Sequence, residues 1–100
     1  MLKRKQADVG FLFTTDAQLA TGEYVAVDDD KSLFPPYHIT FMVRDDALQK
    51  IGAEGQRVLE EVQKPLTEQV MQELNSRVVL DKQDPEKVAA AYLKEAGFTK

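Results

Sequence analysis

A chain of 100 residues with a net charge of −4, 43% apolar and 30% charged, has the composition of one small folded domain. That acidity argues against nucleic acid as a partner, because phosphate binding needs concentrated basic charge, and the lone basic cluster, Lys3-Arg4-Lys5, reads as a solvated N-terminus. The absence of cysteine excludes disulfides, zinc–thiolate sites and thiol catalysis, and no apolar run approaches the ~18 residues of a membrane span.

The first apolar run, Asp8 to Phe13, is rich in strand formers and predicts a buried strand. Thr14-Thr15-Asp16 then offers capping oxygens for a single helical turn over 17–20, ended by Gly22. Tyr24 to Val27 predicts a second strand, and Asp28 to Lys31 a polar loop. Pro35-Pro36 imposes an extended path before a third strand over Ile39 to Val43. Periodicity then switches. A short helix near Ala47 stops at Gly52, and a second, carrying Val58, Leu59 and Val62, is terminated by Pro65. Thr67 caps a helix over 67–78 with a stripe of Val70, Met71, Leu74 and Val78, and Leu66 and Met71 hold the two positions of a hydrophobic staple. Asp84-Pro85-Glu86 begins a last helix over 85–96, which Gly97 closes with Phe98 folding back on Leu93. Strands with helical connections predict an α/β fold, and three short strands are few for a sheet that needs both faces covered.

No constellation for catalysis is visible. His38 is the single histidine, with no second base beside it, and reads as a solvated or hydrogen-bonded structural residue rather than a ligand. Asp28 to Asp30 lacks the alternation, glycine and distant glutamate of a calcium loop, so no metal is expected. Ser32 and Ser76 have no activating base, and the scattered glycines make no phosphate loop. The chain is therefore expected to be neither an enzyme nor a cofactor carrier. Aromatic residues are more telling: Phe11, Phe13, Tyr24, Phe34, Tyr37 and Phe41 all fall within the first 41 residues. Core packing is the plainer account of Phe11 and Phe41. Phe13 and Tyr37 sit at a strand end and in a turn, where a ring can present its face to a cation.

Four motifs in this order carry a resemblance. Ala7 to Asp16 resembles the segment that returns from the second lobe to the first in osmoprotectant-binding proteins, the substrate-binding components of glycine betaine/choline-type ABC importers. Asp29-Asp30-Lys31-Ser32-Leu33-Phe34-Pro35-Pro36-Tyr37 resembles their acidic turn and Pro-Pro-Tyr stretch. Leu66-Thr67 with Met71-Gln72-Glu73-Leu74-Asn75 resembles their penultimate helix, and Asp84 to Ala89 with Tyr92-Leu93 the last one. The resemblance implies a partial type II periplasmic-binding-protein-like fold: residues 1–16 as the lobe-crossing strand and hinge, and 17–100 as the C-terminal portion of lobe 1. It implies a fragment of an extracytoplasmic protein, periplasmic or extracellular and membrane-associated, that takes quaternary ammonium solutes such as glycine betaine, choline or carnitine and hands them to an ABC permease. The chain as written carries no signal peptide. Tyr37 and Phe13 match positions of the family's aromatic cage, and Thr14, Thr15 and Asp16 lie at the hinge, where a hydroxyl can meet a ligand carboxylate. Phe13 stands where tyrosine is common, and His38 where a small or amide residue is usual. The alternative is an independent interaction or regulatory module made from the same fold segment. Either way, an apolar strand without neighbours is expected to draw two copies into a homodimer.

Overall fold

A computed structural model describes residues 1–35 and 37–100. Its regular structure is concentrated in the second half. Helix α1 covers Asp45–Gln63, α2 Glu68–Val79 and α3 Pro85–Glu95. Two short 3-10 turns, Leu2–Arg4 and Ala17–Thr21, are the regular elements among the described residues of the first 44.

Local chemistry sets the helix ends. Thr67 accepts a hydrogen bond from the Val70 N–H at 3.3 Å and so caps α2. Asp84 caps α3 twice, accepting from the Glu86 and Lys87 N–H groups at 2.9 and 3.2 Å, with Pro85 at the first helical position. Gly97 takes the left-handed conformation (φ 80°) that closes α3, and the Phe98 N–H donates to the Leu93 carbonyl at 2.8 Å, the ending expected from the sequence. The predicted interruption at Gly52 is also present: its backbone (φ 66°, ψ −174°) breaks α1 into two helical arms. At the far end of α1 the Gln63 side chain accepts from the Phe41 N–H at 3.1 Å.

Packing centres on α2. One side of α2 meets the 3-10 turn 17–21 and another meets α3, while α1 packs on none of these. Ala17 (3% exposed) and Val88 (4%) are the fully buried hydrophobic residues among those described. The accessible surface is 8708 Å², against about 5,700 Å² for a compact monomer of 11.3 kDa. The radius of gyration agrees: 16.8 Å, where about 13 Å is usual for this length.

The α/β expectation, and with it the partial type II periplasmic-binding-like description, is corrected by this structure. Residues 8–13, 24–27 and 39–43 were expected as strands, and no strand or bridge forms among the described residues. The physical reason is that strand formation is a property of pairs. A run of β-branched and aromatic residues fits a pleated, half-buried surface, and it gains nothing from that shape without a neighbour to bond and pack against. Phe11, Val25 and Val27 stand 89–90% exposed instead. Pro36, expected to hold an extended path, lies outside the described residues.

Candidate functional site

The four consecutive candidates Phe13, Thr14, Thr15 and Asp16 form one turn. The Asp16 N–H donates to the Phe13 carbonyl at 3.0 Å, and the Phe13 N–H donates to the Asp16 carboxylate, also at 3.0 Å. Asp16 stands at the N-cap of the 3-10 turn, yet its carboxylate is turned backward onto Phe13 and caps nothing ahead of it. Its carbonyl accepts from Leu19 at 3.0 Å, which leads the chain into the buried Ala17 segment.

Helix α2 holds this turn from outside. Gln72 Nε2 donates to the Thr14 carbonyl at 2.5 Å, and Asn75 Nδ2 donates to the Thr15 carbonyl at 2.8 Å. The Thr14 hydroxyl donates to Glu68 Oε1 at 2.9 Å. Glu68, Gln72 and Asn75 follow i, i+4, i+7 spacing and so form one column on the helix surface. Sequence reasoning quoted Gln72 and Asn75 within a motif but gave them no role. The available signal was that polar column, running beside the apolar stripe of Val70, Met71, Leu74 and Val78.

The turn leaves Phe13 70% exposed. Tyr37, the fifth candidate, is 74% exposed. Among the described residues the aromatic pair is Phe11 with Phe34, edge to face with centroids 6.0 Å apart, so neither Phe13 nor Tyr37 is engaged by another ring. A cation on an exposed aromatic face gains about 0.5–1 kcal/mol in water. The loop leading to Tyr37 has its own internal anchor. Asp29 accepts from the Phe34 N–H at 2.8 Å, and this bond, followed by those from Leu33 and Lys31, holds its carboxyl below the usual aspartate range.

Concavities among the described residues lie outside this turn. One, of about 280 Å³, sits between α2 and α3 beside the Glu73–Arg77–Glu95 ion pairs, at 2.6 and 3.8 Å. The Glu73 carboxylate raises the Arg77 guanidinium above its ordinary value. Another, of about 380 Å³, lies between residues 40–43 and α1. No group of three or more potential metal ligands occurs among the described residues, and no helix is long and apolar enough to cross a membrane.

A family profile, OpuAC, the substrate binding domain of ABC-type glycine betaine transport systems, matches residues 1–95. A glycine-betaine-binding protein of Pseudomonas aeruginosa is 35% identical over 94 residues, covering 94% of this chain and 30% of that protein. An ergothioneine transport permease/ergothioneine binding protein of Helicobacter pylori is 33% identical over 87 residues, 87% of this chain and 16% of that one. A carnitine transport binding protein of Listeria monocytogenes is 28% identical over 97 residues, 97% of this chain and 31% of that one. The chain thus spans less than a third of the length of these curated relatives. No solved structure shows a significant match.

Proposed function

Because this chain belongs to the family of substrate-binding domains of ABC-type glycine betaine transport systems, we propose that it supplies one wall of a quaternary-ammonium site in an extracytoplasmic solute-binding protein. The observation that carries this reading is the clamped 13–16 turn, which leaves Phe13 exposed beside the Thr14 hydroxyl and the Asp16 carboxylate. The solutes named for the relatives, glycine betaine, carnitine and ergothioneine, each join a trimethylammonium to a carboxylate. Phe13 and Tyr37 are assigned to the cation and the Thr15 hydroxyl to the carboxylate, while the Thr14 hydroxyl, whose one proton goes to Glu68, holds the turn together with Asp16. Delivery to an ABC permease follows as the partner step. No reacting group is required of the chain.

The excess surface supports the view that this chain works as part of a longer protein. About 3,000 Å² beyond the compact expectation on this one chain is several times the roughly 800 Å² per partner of a standard interface and lies in the range of large obligate ones. With one wall alone, a bound cation stays wet and its contacts are weak. Calorimetry on the chain is therefore expected to show no tight binding of betaine, carnitine or choline. In a protein with the remaining segments joined, Tyr37→Ala should weaken binding roughly tenfold and Phe13→Tyr should preserve it. Unchanged affinity in Tyr37→Ala returns that ring to packing.

A second reading, an independent interaction module, is favoured by the exposure of Val9, Phe11, Val25, Val27 and Met42, each 80% or more. Genes for an importer ATPase and permease beside this one would count for transport, and their absence for the module.

A further inference from the structure

We infer that Gln72 and Asn75 are positioning residues for solute recognition: their carboxamide donors fix the backbone that aims Phe13 and Thr15. The inference rests on the solute-binding reading above and adds to it the device that orders the site.

The 13–16 turn belongs to the part of the chain with little regular structure. Its own two hydrogen bonds close the turn but do not orient it relative to the rest of the protein. Orientation comes from α2, 54 to 60 residues away in sequence, through Glu68, Gln72 and Asn75. Two carboxamides one helical turn apart capture two consecutive carbonyls, which fixes both peptide planes between Thr14 and Asp16. With those carbonyls held on α2, Phe13 is left open to solvent. Pre-ordering of this kind removes the cost of freezing the turn when a ligand arrives. Packing alone does not account for the residue types, because a carbonyl oxygen specifically needs a donor and both carboxamides supply one to it. The Asn75 bond is part-buried and the Gln72 bond exposed, so Asn75 should matter more.

The test uses the full 100-residue chain labelled with 15N, with amide hydrogen exchange and a glycine betaine titration to high millimolar concentration, both read by NMR. Gln72→Glu and Asn75→Asp keep shape and remove the donor; Gln72→Lys puts a donor back. Expected are saturable betaine shifts at residues 13–16 in the wild type, an affinity about threefold lower in Gln72→Glu and about tenfold lower in Asn75→Asp, faster exchange of the Phe13 and Asp16 amides in both, and recovery of affinity and exchange in Gln72→Lys. Unchanged far-UV dichroism identifies the effect as positioning rather than unfolding. Should Asn75→Asp unfold, the solvent-exposed Gln72→Glu and Gln72→Lys pair carries the comparison. Equal betaine affinity across all variants overturns the inference. A wild type that gives no betaine response, while exchange at 13–16 still depends on Gln72 and Asn75, overturns the solute reading and leaves α2 as a purely structural clamp. Loss of that dependence with betaine binding intact overturns the clamp and spares the solute reading.

Discussion

Val88→Ala tests the packing of α3 where the structure gives it a single buried anchor. Val88 is 4% exposed, and α3 meets only α2 among the helices. The substitution removes two methyl groups from that contact. At about 0.8 kcal/mol for each CH₂-sized group, the lost burial is roughly 1.5 kcal/mol. Alanine's higher helix propensity returns about half a kcal/mol, and incomplete collapse around the missing methyls adds a similar amount. The net expectation is a loss of about 1–2 kcal/mol, measured by urea titration of the far-UV dichroism. Ala89→Gly, on the exposed side of the same turn, is the companion variant, because it changes propensity by about 1 kcal/mol without touching the contact. If α3 is docked, Val88→Ala weakens protection of α3 amides and of their α2 neighbours together. A neutral or stabilising Val88→Ala, with Ala89→Gly still costly, would mean that intrinsic propensity alone holds α3, and would refute the docking argument.

Two further outcomes are expected. Asp29 binds its proton less readily in the folded loop than in the unfolded chain, so its contribution to loop order is complete above the ordinary aspartate value and fades as pH falls through the lower folded value. The Phe34 amide should titrate with that depressed midpoint in an NMR pH series and lose the transition in Asp29→Asn, whereas a midpoint at the free-aspartate value would detach Asp29 from the loop. Light scattering at micromolar concentration should detect a dimer or larger species through the exposed apolar segments, and a stable monomer there would remove self-association from the account.

What was legible in the sequence was what is decided locally. Thr67, Asp84-Pro85, Gly52 and Gly97 each act through backbone atoms a few positions away, and each falls at the boundary expected of it. The family likeness was legible too, since it rests on residue order rather than on folded geometry. The strands were not, because Phe11, Val25 and Val27 have strand-like side chains whose use depends on a second segment that the run itself does not specify. At the site, Phe13 was expected as a strand end and Thr14 to Asp16 as capping oxygens, whereas the Asp16 carboxylate closes back on the Phe13 amide to make one turn of the four. The carboxamides that orient it were not legible, because nothing near residue 14 points to residues 72 and 75.

The backbone of Gly52 has a reach beyond its own position. A straight helix from residue 45 to residue 63 would set its ends about 27 Å apart. The four residues from Phe41 to Asp45 can span at most about 14 Å, so Gln63 could not then meet the Phe41 amide as it does at 3.1 Å. Helix α1 is therefore a folded jackknife whose pivot is a conformation open essentially to glycine alone. Any side chain at the pivot favours the straightened blade, and straightening parts residues 40–43 from the distal arm, so that the 380 Å³ hollow between them vanishes without a single one of its lining residues being changed.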